Sequence, residues 1–257
     1  MEKISFSQIK TKRLPEVIEN RIKKHILSGK YQPGDRLLNE KELSLQFGVS
    51  LVTVREALKG LESLGLVEKK RGRNGGIFIG EIKSDSVKMA LHGFLSTKKI
   101  SYKDISELRV ILEPISIRKA TSRITPLEIE KLEENVRYCE GLIRNSGDSF
   151  SEKEQSLIEK KNVEFHTLIA KATQNPLLTF TIESEMDLLF GLKKSILKPD
   201  IQHSEQGIKE HRNILKQLKI GNAKEAEEAM ARHIRNLEKY LLHKGFKIEN
   251  QEFEDVQ

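Results

Sequence analysis

Between Asn39 and Lys70 the chain reads NEKELSLQFGVSLVTVREALKGLESLGLVEKK, and no other stretch restricts the fold as tightly. Asn39 is placed to cap a helix, and Glu42, at the third helical position, can return a bond to the Asn39 backbone N–H. Leu43 and Phe47 give that helix an apolar face, and Gly48 supplies the left-handed residue that stops it. Ser50 caps a second helix, whose buried stripe is expected at Val54, Leu58, Leu61 and Leu64. Leu51, Val52, Thr53, Arg55 and Lys59 are left facing outward. Two short helices around a glycine turn, the second exposing its N-terminal residues, form the helix-turn-helix pattern. An ordinary helical hairpin would read the same way, so the flanking sequence has to decide.

Upstream, a helix is expected from about Pro15 to Ser28, with Val17, Ile18, Ile22 and Ile26 on one face and Gly29 at its end. Tyr31-Gln32-Pro33-Gly34-Asp35 is a turn cluster leading into Leu37-Leu38. Downstream, Leu66–Lys70 and Ile77–Ile79 read as two short strands, joined by Arg71-Gly72-Arg73-Asn74-Gly75-Gly76. A helix, a helix-turn-helix and a hairpin make a winged helix over residues 12–80, preceded by an arm at 1–11. The hairpin carries Lys69, Lys70, Arg71 and Arg73 beside a glycine turn. Such a turn can be a merely solvated loop. Beside an exposed helix N-terminus it reads as a contact to phosphates or a minor groove. A net charge of +7, from 45 Lys+Arg against 38 Asp+Glu, agrees with a polyanionic partner.

The run GKYQPGDRLLNEKELSLQFGVSLVTVREALKGLESLGLVEKKRGRNGGIFI resembles the N-terminal domain of GntR-type bacterial transcription regulators. The resemblance rests on the PG turn after a short helix, the G-V-S-x-x-T-V-R-E-A-L run, the L-x-x-x-G-L-V that follows, and the Gly-rich wing. It implies a homodimer on a palindromic operator in double-stranded DNA, the two-fold of the protein matching that of the half-sites. It also implies which residues touch DNA: Lys41, then Ser50, Val52, Thr53 and Arg55 at the recognition helix, then Arg71, Arg73 and Gly75 in the wing. Ser50 and Thr53 can donate to phosphates, and Arg55 can reach a guanine edge or a phosphate. Leu51 departs from the pattern, since many relatives carry Arg there. A leucine cannot contact guanine O6 and N7, so the reading would shift to Arg55 and the wing.

From Ser84 the chain is a succession of capped helices, at roughly 84–97, 101–122, 126–146, 152–174, 176–197, 204–220 and 223–245. The fold class is therefore mainly α, with a C-terminal all-α antiparallel bundle of about seven helices over 81–247 and a tail at 248–257. Cys139, the single cysteine, excludes an intramolecular disulfide and suits a reducing cytosol. No apolar run approaches the roughly 20 residues a membrane span needs, so the expected location is cytoplasmic, without membrane contact.

Three histidines fall in apolar stripes of this bundle. His211 lies in Ile208, His211, Leu215, Leu218, and His233 lies in Met230, His233, Leu237, Leu241. His166 stands next to Phe165 and near Ile169, one turn after Asn162. A buried imidazole needs a polar partner. That partner can be a carbonyl or carboxylate for each histidine alone, or one metal shared by all three. Spacing leaves both open.

Glu107-Leu108-Arg109, Glu113, the run N-V-E-F-H-T-L-I-A-K-A-T-Q-N-P-L, Glu210-His211 and His233 resemble the C-terminal effector domain, called FCD, of FadR-like GntR regulators. The resemblance implies a divalent cation held by Asn162, His166, His211 and His233. Asn162 stands where Asp is usual, so its amide oxygen would ligate without bringing charge. Three imidazoles and one oxygen suit Zn²⁺ or Ni²⁺ over Mg²⁺ or Ca²⁺. Arg109 borders the face Ile105, Leu112, Ile115, where it can simply pair with Glu113 four residues on. The resemblance implies instead that it binds the carboxylate of an effector, a small organic acid or sugar acid. His25, His92, His203 and His243 carry no such signal and read as incidental.

These readings point to an effector-responsive transcription regulator, with repression relieved by effector as the family default. A metal-dependent enzyme is the rival, because an open metal position can activate water. No general base is positioned for it: Glu164 faces away from His166, and Glu210 adjoins His211 only in sequence. An architectural DNA-binding protein would leave the three histidines dispersed.

Overall fold

The computed structural model describes residues 13–72, 74–81, 84–98, 100–146, 150–196 and 198–244. The arm at 1–11, Arg73 and the tail at 248–257 lie outside these residues. The chain forms two compact units, divided between Val87 and Lys88.

In the first unit, α1 (Leu14–Leu27) is followed by β1 (Arg36–Leu37), α2 (Glu40–Phe47), α3 (Leu51–Ser63), β2 (Val67–Lys70) and β3 (Gly76–Ile79). The expected capping box is present, since the Asn39 side chain accepts from the Glu42 N–H and Glu42 returns a bond to the Asn39 N–H. Gly48 stops α2 at φ 65°, a left-handed conformation that costs a side-chain-bearing residue strain. Ser50 Oγ accepts from the Thr53 N–H at 3.2 Å and starts α3. Ile18 and Ile22 of α1 join Leu43, Val54, Ala57, Leu58 and Leu61 in one core with Leu37, Val67, Ile77 and Ile79 of the sheet.

Two sequence expectations need correction here. Leu64, expected in the buried stripe of α3, caps the C-terminus and is exposed, because Gly65 turns the chain there at φ 68°. Ala57 takes the buried place instead. The sheet also has three strands, in the order β1-β3-β2, all antiparallel, with Arg36 opposite Phe78 and Val67 opposite Ile79. β1 is only two residues long and shows no alternation to read.

In the second unit, α4 (Ser84–Ser96), α5 (Tyr102–Ala120), α6 (Pro126–Ser146), α7 (Glu152–Ala172), α8 (Pro176–Ile196), α9 (Ile201–Lys219) and α10 (Ala223–His243) form the bundle. α9 begins earlier than the expected 204 because Asp200 caps it, accepting from the His203 N–H at 2.9 Å. One core gathers Ile117, Leu132, Val136, Ile158, Phe165, Ile214, Leu215 and Ile234. A second gathers Tyr102, Ile105, Ile182, Met186, Leu189, Leu237 and Leu241. Among the described residues, no helix is long and apolar enough to cross a membrane.

Candidate DNA face and metal centre

On the first unit, the N-terminus of α3 presents Val52, 71% exposed, and Arg55 outward, with Lys41 of α2 and Arg71 after β2 also exposed. Leu51 is half-buried. Ser50 and Thr53 share a hydroxyl–hydroxyl bond of 2.8 Å at the cap, so these two side chains are fixed before any ligand arrives. Arg55 Nε donates to Glu40 Oε2 at 2.6 Å, and Lys69 Nζ of β2 donates to Glu40 Oε1 at 2.7 Å. These cations hold the Glu40 carboxyl below the ordinary carboxylate range, with the Lys69 bond the larger cause. Gly75 is fixed by crowding: a Cβ there would lie 2.5 Å from the Lys70 carbonyl oxygen. Its own carbonyl accepts from Arg36 Nη2 at 3.0 Å.

In the second unit, a cavity of about 450 Å³ is lined by Arg109 of α5, Asn162 and His166 of α7, Lys193 of α8, and His233 and Tyr240 of α10. His211 of α9 is buried against His166 and His233 without lining the cavity itself. One nitrogen from each of His166, His211 and His233 falls within 4.8 Å of the others. The Nε2 atoms of His211 and His233 are 3.3 Å apart. Imidazole nitrogens about 2.0–2.1 Å from one tetrahedral cation stand about 3.3 Å apart.

Both flanking histidines are oriented by carboxylates. His166 Nδ1 is hydrogen-bonded to Glu113 Oε2, and His233 Nδ1 to Glu210 Oε2 at 2.7 Å, which leaves each Nε2 lone pair for a ligand. Asn236 steadies Glu210 at 2.8 Å. Phe165 stacks on the His211 ring, with centroids 4.0 Å apart. Burial pushes His166 down to about 4 and His211 well below its ordinary value, so both are neutral imidazoles, the form that ligates metals. Asn162 Oδ1 is buried with no hydrogen-bond partner, one turn before His166. The three imidazoles therefore fit a divalent cation, and the Asn162 amide oxygen lining the same cavity is left without a partner.

Arg109 differs from its sequence reading in setting. It does not border a face with Ile115, which is exposed. The buried face of α5 is Tyr102, Ile105, Ser106, Arg109, Glu113 and Ile117, while Leu108 and Ile111 point outward with Ile115. Arg109 is 1% exposed, and its Nε donates to Glu113 Oε1 at 2.6 Å. Its Nη1 is buried without a partner. Glu113 thus bridges the arginine and the first histidine; the Arg109 charge and the hydrogen bonds with both partners hold its carboxyl at about 2 despite burial.

Three further features escaped the sequence reading. Glu210 is not a bystander of His211; it reaches across to α10, where the helix faces meet. His203 lines the cavity, stacked on Tyr240 with centroids 3.6 Å apart. Glu185 of α8 is buried with neither oxygen paired, and desolvation and the Glu113 charge push it up to about 9. Only Glu210 had a legible signal, its place beside a stripe histidine. The other two are set by which helices pack together.

Comparison with known proteins places both halves. Residues 14–79 match the family of bacterial regulatory proteins, gntR family, and residues 104–236 match the FCD domain. The HTH-type transcriptional regulator LutR of Bacillus subtilis is 30% identical, over 84% of this chain and 95% of its own. The HTH-type transcriptional repressor NanR of Klebsiella aerogenes is 25% identical, over 88% and 84%. The Glc operon transcriptional activator of Escherichia coli is 28% identical, over 91% of each. The solved structure of Streptococcus agalactiae GntR covers 88% of this chain and 99% of its own, with a TM-score of 0.62 and 24% identity, and so shares the fold. These relatives are regulators, not enzymes. The chain belongs to the GntR family of bacterial transcription regulators and carries an FCD domain after its helix-turn-helix domain.

Proposed function

We propose that this regulator acts in the cytoplasm as a homodimer, reading a palindromic operator with residues 12–80 and sensing an effector with residues 81–247. Lys41, Ser50, Val52, Thr53, Arg55, Arg71, Arg73 and Gly75 form the DNA surface. Asn162, His166, His211 and His233 hold a divalent cation, Zn²⁺ or Ni²⁺. The Nη1 of Arg109 takes a carboxylate of a small organic acid or sugar acid lying in the same cavity. The observation that carries the reading is the meeting of three imidazoles, an orphaned amide oxygen and an unpaired guanidinium donor at one cavity.

The cation supplies a positive perch for the effector's acid group. Glu113 and Glu210 orient His166 and His233, Phe165 packs His211, and Arg109 sets the direction of the carboxylate. Repression relieved by effector is the proposed sense; one of the relatives is named a repressor.

Elemental analysis of the purified chain tests the metal. One divalent ion per chain is expected, and His211→Ala, which removes a buried ligand, is expected to lose it. A wild type without a divalent ion after reconstitution, or a variant that keeps one, contradicts the ligand set.

A further inference from the structure

Glu40 places a carboxylate between two cations of the proposed DNA face, Arg55 and Lys69. It is the first residue of α2, and its two oxygens hold Arg55 on α3 and Lys69 on β2. Its side chain is about one quarter exposed (23%), while Arg55 is 57% and Lys69 36% exposed. Exposed ion pairs contribute little to folding. A negative group beside the DNA path also costs attraction to phosphates. At the first position of α2 a carboxylate also suits the helix N-terminus, but that role does not require its two oxygens to hold Arg55 and Lys69.

The bond pattern suggests a use. Glu40 engages Arg55 through Nε, which leaves Nη1 and Nη2 as a planar pair. Two parallel N–H donors match guanine O6 and N7. An unrestrained arginine would spend its time on the nearest phosphate, which carries no sequence information. The demand on Arg55 is raised by Leu51, which has no donor to offer a base.

We infer that Glu40 is a positioning residue that turns Arg55 from a phosphate anchor into a reader of guanine, and that Lys69 fixes Glu40 for this purpose. The inference rests on the DNA-reading proposal above.

The test uses the full-length chain and the duplex that the wild type enriches from a randomised pool, with a shuffled duplex as control. For Glu40→Gln, affinity for the shuffled duplex is expected to hold or rise, because two cations are released. Affinity for the enriched duplex is expected to fall about tenfold, so the specificity ratio falls by at least that factor. Replacing the contacted guanine by 7-deazaguanine should weaken the wild type and leave Glu40→Gln unchanged. Arg55→Lys, which keeps charge without the fork, should lose the same specificity, and adding Glu40→Gln to it should cost nothing further. A Glu40→Gln variant that keeps its specificity ratio, or gains equally on both duplexes, overturns the inference alone. A wild type that enriches no duplex overturns the DNA reading and this inference with it.

Discussion

Glu113 holds a guanidinium with one oxygen and an imidazole with the other, in the dry interior of the bundle. Removing its charge leaves Arg109 buried and uncompensated, and such losses cost about 3–5 kcal/mol. Glu113→Gln is therefore expected to lower the unfolding free energy from denaturant titration by that amount, with a lower midpoint. It should also weaken the cation by about 10–100-fold, through loss of the orienting bond to His166. Equal midpoints for variant and wild type would contradict the bridge. Glu185 makes the opposite case. Its folded value lies near 9, above its unfolded value near 4.5, so its contribution to stability is full below about 4.5 and is lost as pH rises towards 9. Glu185→Gln should flatten that decline and raise stability relative to wild type at pH 8. Parallel stability–pH curves for the two proteins would remove the assignment.

At the scale of elements, α3 is started by Ser50 and stopped at Leu64. Ser50→Ala deletes the acceptor for the Thr53 N–H and should cost about 1 kcal/mol of stability. Operator affinity should fall with it, because Thr53 and Arg55 lie in the first turns, and an unchanged melting curve would contradict the cap. Caps of this kind made the elements legible: Asn39, Ser101 and Ser151 each announce a helix with an acidic residue three places on, and each box is formed. Local rules failed where partners decide. The face of α5 is not legible from apolar spacing, because its buried side carries Ser106, Arg109 and Glu113, while Leu108, Ile111 and Ile115 are exposed. The histidines could be named from their stripes, but their convergence depends on how α7, α9 and α10 meet. The Glu210–His233 bond spans that same packing, so no spacing within one helix encodes it.

For the whole molecule, regulation requires that an effector bind one DNA-binding geometry better than another. The cavity lies wholly in the second unit and the proposed DNA face wholly in the first, so their coupling would be a free energy between distinct sites. Arg109 is the residue whose loss should separate the two functions, since its Nη1 awaits an acceptor while Arg55 and the wing lie in the other unit. The direct measurement is operator affinity, by fluorescence anisotropy, against increasing amounts of the carboxylate released when the purified protein is denatured. For the wild type the account predicts weakening of about 5–150-fold, the usual span of allosteric coupling. For Arg109→Ala it predicts wild-type affinity without the acid and no response to it. A variant that still responds as the wild type does would contradict the account.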